Sequence, residues 1–342
     1  MHRPLRLTLD RGSLQHNWRW LQERSGVPAG AAIKADGYGL GARDTMAALH
    51  EAGCQTFFVS TYAEAEELDS PPAGCSLIVF HGPAREDMDA ALASNARPVL
   101  NSLEQVERWK AAAPDRPCDV MIDTGINRLG LRVEEVGALE GLVIETLHSH
   151  LACADEDSLM NDRQLQRFRE VAAAVPAKRY SLANSAGICL GRDYSFDLVR
   201  PGLALYGGVP RAEAEGQIRQ VARLEAQVVQ RRTIRAGESC GYGATFVAER
   251  DTAAAVVDLG YGDGYLRGFS SRGSAFAGEF ALPVLGRVSM DLIALGCGAT
   301  PDLKEGDWVE LDYVLPTATE ASGLSQYELL TTLGSRFERR WI

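Results

Sequence analysis

From Gly30 to about Gly208 the chain alternates short apolar runs with helical patterns of roughly ten to fifteen residues, and this alternation restricts the fold to parallel βα units. Eight such runs stand out: Ala31–Ile33, Thr56–Val59, Leu77–Phe80, Pro98–Leu100, Asp119–Ile122, Val143–Leu147, Arg179–Leu182 and Leu203–Tyr206. The segments between them carry helix-start signals, for example the capping-box patterns Thr61-Tyr62-Ala63-Glu64 and Ser102-Leu103-Glu104-Gln105. Eight βα units in so short a stretch predict an α/β fold of the (β/α)8 TIM-barrel type rather than an open doubly wound sheet. After Pro210 the pattern changes. Ala222 to Thr233 alternates in the β manner, and β-rich runs follow at Ala253–Asp258, Ala281–Leu285, Leu292–Leu295 and Trp308–Leu311, separated by glycine-rich turns such as Gly260-Tyr261-Gly262-Asp263-Gly264. This predicts a C-terminal all-β domain of about 120 residues, closing with a helix near Gln326–Leu333.

A chain of 342 residues suits one large domain plus a smaller one, and 46% apolar with 24% charged residues is ordinary globular composition. The net charge of −11 argues against nucleic acid or an anionic membrane as a partner, while leaving room for a small anionic ligand where arginines and lysines converge. Cys54, Cys75, Cys118, Cys153, Cys189, Cys240 and Cys297 are odd in number and scattered, with no C-x-x-C pair, which reads as reduced thiols of a cytoplasmic protein. Residues 1–6 include basic residues with no apolar run behind them, so neither a leader nor a membrane span is expected.

In a barrel of this kind the chemistry gathers at the C-terminal ends of the strands. Lys34 follows the first run and leads into Ala35-Asp36-Gly37-Tyr38-Gly39-Leu40-Gly41. A lysine leaving a buried strand is partly desolvated and pushed toward its neutral, nucleophilic form, as a Schiff-base lysine requires. Arg128 lies six residues past the fifth run, His150 after the sixth and Ser185 after the seventh, and Arg200 and Gly202 lie where the eighth begins. Ser185 in Asn184-Ser185-Ala186-Gly187 and Gly202 in Pro201-Gly202-Leu203 sit where barrels hold phosphate with backbone N–H groups and a hydroxyl. An imine-forming lysine opposite a phosphate cradle implies pyridoxal phosphate more readily than a sugar phosphate. Arg200 would keep a pyridine nitrogen unprotonated, because guanidinium does not release its proton. Arg128 is a candidate grip for a carboxylate. Taken singly, each has an ordinary reading: a solvated lysine, a surface arginine, a structural histidine, a helix cap and a turn glycine. His148, His150, Asp155, Glu156 and Asp157 form a weaker candidate for a divalent metal, but the acidic run reads as a solvated loop, and no metal is expected.

Eight stretches, Lys34 to Gly41, Asp123 to Gly130, His148 to Glu156, Ala183 to Ala186, Val199 to Gly207, Gly241 to Phe246, Gly260 to Arg267 and Gly286 to Asp291, resemble in order the motifs of the alanine racemases, fold-type III pyridoxal-phosphate enzymes. The resemblance implies a barrel over 10–217, a β domain over 218–342 that takes in 1–9, and a head-to-tail homodimer with shared active sites. It implies that Lys34 holds the cofactor covalently and that Tyr38, Ser185, Gly202 and Leu203 hold its phosphate. Arg200 would meet the pyridine nitrogen, with His150 beside it. Tyr242, within Cys240-Gly241-Tyr242-Gly243, would reach in from the partner as the second acid/base, while Tyr261 and Met290, also from the partner, would bound the substrate. Racemisation needs a base on one face of Cα and an acid on the other. In the family the lysine serves the D-enantiomer and the tyrosine the L-enantiomer.

The chain departs from the family in two places. Many members carry a lysine, often carbamylated, where this chain has Met121, so Arg128 must be positioned by another group. A tyrosine of many relatives aligns with Ser335, whose small side chain would widen the pocket toward serine or larger amino acids. Alternatives within the resemblance are a broader-specificity or serine racemase, a metal-assisted D-amino-acid aldolase, and a non-catalytic pyridoxal-phosphate-binding protein. Retention of Tyr242, Tyr261 and Met290 favours racemisation.

Overall fold

The computed structural model describes residues 2–68 and 70–342, which fall into two compact units: Leu14–Arg219, and Gln220–Ile342 together with Met1–Ser13. In the first unit, seven strands lie side by side and parallel in the order Ala31–Ala32, Thr56–Val59, Ser76–Val79, Arg97–Leu100, Cys118–Asp123, Ile144–His148 and Arg179–Ser181. Every residue of Thr56–Val59 is buried, as a strand covered on both faces requires. Helices such as Ala42–Ala52, Leu103–Ala112 and Leu159–Ala174 connect the strands.

The eighth run departs from its expectation, because Leu203–Tyr206 is a buried 3-10 helix and not a strand. The sheet curls closed one turn earlier, through a parallel bridge between Ala29 and Val199, with Gly30 N donating to Val199 O at 2.9 Å and Ala32 N to Pro201 O at 2.9 Å. Pro201 has no N–H to extend the ladder, and the Gly202 N–H is taken by the Ser185 hydroxyl at 3.0 Å. This moves Arg200 from the start of the eighth strand to its C-terminal end, in line with the other candidate residues.

The second unit is a closed antiparallel barrel. Its organising strand, Ala222–Ile234, has a register shift between Val228 and Gln230 and pairs with Trp308–Leu311 before that point and mainly with Thr252–Val257 after it. From Thr252–Val257 the pairing runs through Ile293–Gly296, Phe280–Leu285 and Ser274–Ala277 back to Trp308–Leu311, which completes the ring. The bulge bends one strand enough to serve two neighbours along the same edge. Leu5–Leu9 adds to this strand antiparallel, setting Leu7 opposite Leu224 with both fully buried, each worth about 1.5–3 kcal/mol of burial. The helix expected near the end spans Gln326–Thr331, but the unit closes with a strand, Glu338–Trp341, parallel to Leu5–Leu9. Its charged composition gave no apolar signal. Among the described residues, no helix is long and apolar enough to cross a membrane.

Candidate active site

Lys34 stands where the first strand breaks into a left-handed turn. Ala35, Asp36, Gly37 and Tyr38 have φ of +52°, +50°, +62° and +56°, a conformation that costs side-chain-bearing residues roughly 1–2 kcal/mol each. Local bonds hold it. Gly37 N donates to Ile33 O, Gly39 N to Ala35 O and Gly41 N to Asp36 O, while the Asp36 carboxylate accepts from Ala42 N at 2.8 Å. The turn places Lys34 in a cavity of about 400 Å3 with Ser60, Phe80, His81, Met121, Arg128 and His150 in its walls. Burial lowers the lysine pKa, the Arg128 guanidinium lowers it further, and Glu64 opposes them. This is the neutralising environment expected of a nucleophilic amine.

Tyr38, at the other end of the turn, is 7% exposed and stacks on Tyr206 with ring centroids 4.7 Å apart. Tyr206 is anchored by its hydroxyl, which donates to Ala32 O at 2.8 Å. The Tyr38 phenol reaches Gly202 so closely that a Cβ there would lie 2.2 Å from Oη. Ser185 Oγ accepts from Gly202 N at 3.0 Å and Ala204 N at 3.2 Å, leaving its own proton to donate. Tyr38, Ser185 and Gly202 thus converge as a small polar cradle, and Leu203 is buried beside it.

Arg200 is 4% exposed and donates to the Ser181 hydroxyl, to Ser149 O at 2.6 Å and to Leu182 O at 3.3 Å. Burial pushes its pKa down to about 10, opposed by Asp119, so it stays charged at neutral pH. His150 is held neutral, with a pKa of about 3, by desolvation and by the cations Arg200, Arg128 and Lys34. Its backbone is fixed by Gln164, whose amide donates to His150 O at 2.9 Å and to Thr124 Oγ1 at 3.2 Å. Beneath lies a fully buried pair, with His148 Nε2 3.0 Å from Asp119 Oδ2 and Arg97 Nε donating to Asp119 Oδ1 at 2.7 Å. His148 therefore serves the barrel interior. Arg128 is exposed on a loop shaped by the Asp123 carboxylate, which accepts from Gly125 N at 2.7 Å and Asn127 N at 3.1 Å. It borders both the Lys34 cavity and a wider groove of about 800 Å3. Met121, 6% exposed in the cavity wall, brings it no charge.

The remaining candidates belong to the β unit. Tyr242 is 66% exposed on a one-turn 3-10 helix, and Met290 is 54% exposed. Tyr261 lies under the Arg267 guanidinium, 5.3 Å from the ring centroid. The Tyr261 and Met290 backbones are tied together, with Tyr261 N donating to Ser289 O and Gly262 N to Met290 O, both at 2.9 Å. Arg336 binds the buried Asp263 carboxylate and also Asp291. Sequence reasoning did not single out Tyr206, Ser149, Ser181, Gln164 or Asp119, and it saw Glu64 only as half of a helix cap. Their roles depend on neighbours distant in sequence.

Comparison with known proteins agrees along the whole chain. Residues 9–210 match the model of the alanine racemase N-terminal domain, and residues 221–341 that of the alanine racemase C-terminal domain. A catabolic alanine racemase of Agrobacterium fabrum is 42% identical over 98% of this chain and 92% of its own, and a biosynthetic one of the same organism is 39% identical over 99% and 94%. The crystal structure of alanine racemase from Bartonella henselae with covalently bound pyridoxal phosphate superposes with a TM-score of 0.93 at 33% identity, covering 99% of each chain. The biosynthetic alanine racemase of Pseudomonas aeruginosa gives 0.89 at 33% identity over 100% of each. With both domain models matched and the fold shared end to end, the chain belongs to the alanine racemase family.

Proposed function

We propose that this protein is a pyridoxal-phosphate-dependent alanine racemase, working as a cytoplasmic homodimer with shared active sites, in which Lys34 and Tyr242 of the partner subunit are the two proton-transfer groups. The observation that carries the reading is the Lys34 cavity: an amine biased toward neutrality, walled by Arg128 and His150, at the mouth of a barrel.

The residues present fit the cofactor. The cradle of Tyr38, Ser185 and Gly202 offers a phenol, a hydroxyl proton and a backbone approach that no Cβ obstructs, which suits a phosphate; Leu203 completes it. When bound, pyridoxal phosphate supplies an electron-withdrawing ring that acidifies the Cα–H of the amino acid joined to it. Lys34 would take the Cα proton on one face in its neutral form and return it from its protonated form. Tyr242 of the partner subunit would do so on the other face, its phenol standing exposed on a one-turn 3-10 helix. Arg200, still charged and hydrogen-bonded to the neutral acceptors Ser181, Ser149 and Leu182, would leave a pyridine nitrogen beside it unprotonated and so limit how far charge spreads from Cα. His150, neutral beside it, adds no competing cation. Arg128 would bind the substrate carboxylate, and Tyr261 of the partner subunit and Met290 of the partner subunit would restrict the side chain that fits. Such an activity would supply D-alanine.

The test is to add pyridoxal phosphate to the full chain and follow optical rotation and α-deuterium exchange with L-alanine, L-serine and larger amino acids. Alanine is expected to exchange and racemise fastest, and absence of exchange on every substrate defeats the reading. Met121 in the cavity wall and the small, exposed Ser335 favour a second reading with broader specificity, which equal turnover of serine would establish.

A further inference from the structure

Glu64 begins the helix Tyr62–Glu67 as the third residue after the cap Thr61, whose hydroxyl accepts from Glu64 N at 3.2 Å. In a capping box its carboxylate would turn back to the Thr61 N–H. It does not. One oxygen accepts from Ser60 N at 2.6 Å and the other from Ala35 N at 2.9 Å. Ser60 ends the second βα junction and lines the Lys34 cavity, while Ala35 is the residue after Lys34 and the first of the left-handed turn. One carboxylate therefore joins two adjacent strand ends at the point where the lysine leaves its strand.

We propose that Glu64 is a positioning residue for Lys34: its carboxylate clamps the left-handed turn to the neighbouring strand end, aims the lysine into the cavity, and places a negative charge beside the amine. The inference rests on the reading of Lys34 as the cofactor lysine. Two opposed influences act on that amine. Burial and Arg128 favour the neutral form, and Glu64 favours the charged one. The other titratable groups around it are His150 and His81 in the cavity walls, Asp36 and Tyr38 on its own turn, and Arg43, which lines a second small cleft with Glu64. Glu64 bonds the backbone beside the lysine as well. Glu64 thereby offsets part of the larger effects of burial and Arg128 on the amine while fixing where it points.

The test compares Glu64→Gln and Glu64→Asp with wild type in full-length protein freed of cofactor. Lys34 is labelled with trinitrobenzenesulfonate across pH and quantified by peptide mass spectrometry, with Lys110, Lys178 and Lys304 as internal references. Pyridoxal phosphate binding is then measured by equilibrium dialysis. Glu64→Gln removes the charge and, with one acceptor oxygen, keeps at most one of the two bonds. Its Lys34 labelling midpoint is expected to fall by about one pH unit, and cofactor affinity by about tenfold. Glu64→Asp keeps the charge on a shorter arm that cannot span both N–H groups, so affinity is expected to fall while the midpoint stays near wild type. Unchanged midpoint and affinity in Glu64→Gln overturn the proposal, as do equal midpoint shifts in both variants. Failure of wild type to bind pyridoxal phosphate at Lys34 counts against the function itself, while the labelling comparison still decides the role of Glu64.

Discussion

The candidate residues of the two units are prepared in opposite ways. In the α/β unit the cofactor-binding candidates are enclosed and braced: Ser185 is 2% exposed, Arg200 4% and Tyr38 7%, each held by side-chain or backbone partners within that unit, while Arg128 stands exposed on its loop. In the β unit Tyr242 and Met290 are bare, 66% and 54% exposed, with the Met290 backbone tied to the Tyr261–Gly262 turn that Asp263 and Arg336 support. Large apolar groups left exposed are what a surface awaiting a partner presents. A half-site that is complete within the chain and a second half that is only aimed fit the proposal that a second copy supplies the missing groups.

The sharpest way to break this contrast is to disable each half separately. Lys34→Ala and Tyr242→Phe are each expected to abolish racemisation, the second by about 10²–10⁴-fold while leaving the visible absorbance of the cofactor-loaded protein intact. If sites are shared, mixing the two inactive variants under subunit exchange rebuilds one intact site in every mixed dimer, and activity returns to about a quarter of wild type. Mixtures that stay inactive would mean that Tyr242 serves some other surface.

Smaller changes should separate what each unit contributes. Gly202→Ala sets a methyl group against the Tyr38 phenol, which is buried and stacked on Tyr206, so cofactor affinity should fall about 10–100-fold and the crowding should cost about 1–3 kcal/mol of stability. Asp263→Asn in the β unit should separate the two effects. It weakens two Arg336 bonds and one from Gly260 N at 3.0 Å, costing about 1.5–3 kcal/mol of unfolding free energy in denaturant titrations, with cofactor binding unaffected. Loss of cofactor in Asp263→Asn would erase the distinction.

Much of this was legible in the sequence. Seven of the eight predicted barrel strands formed within a residue or two, because short runs bounded by turn residues carry a local signal. The eighth did not, because Leu203–Tyr206 is as apolar as a strand and only the position of Pro201 and the capture of Gly202 N–H by Ser185 decide against it. Glu64 was recognised as a helix-start residue yet bonds Ser60 and Ala35, since periodicity shows that a carboxylate is near a helix end and not which N–H groups compete for it. Arg200 could be named, but its supports Ser149 and Ser181 could not, because a serine on a strand end has no distinguishing spacing. The bare side chains of the β unit were legible only by resemblance, as nothing in the residues around Tyr242 separates a turn tyrosine from a proton donor.

The smallest of the expected effects concerns acid. The α/β unit buries His148 without charge, its pKa lowered from 6.5 to about 4 by burial, against the opposing pull of Asp119. The one histidine in the β unit, His2, is exposed. In the unfolded chain His148 takes up a proton near pH 6.5, while in the folded state it resists until about pH 4. Between those values the unfolded state binds more protons, so stability rises with pH: it is complete above about 6.5 and drains as pH falls, by about 2 kcal/mol at pH 5 for this residue alone. Urea unfolding of wild type at pH 7 and pH 5 should show that loss in the transition of the α/β unit. His148→Gln, whose amide can still donate to Asp119, should lower stability at pH 7 and remove about half of the dependence between the two pH values, the other half belonging to His150, which is also held neutral. An unflattened slope in that variant would move the acid sensitivity to another group, and a loss appearing first in the β unit would reverse the contrast between the two halves.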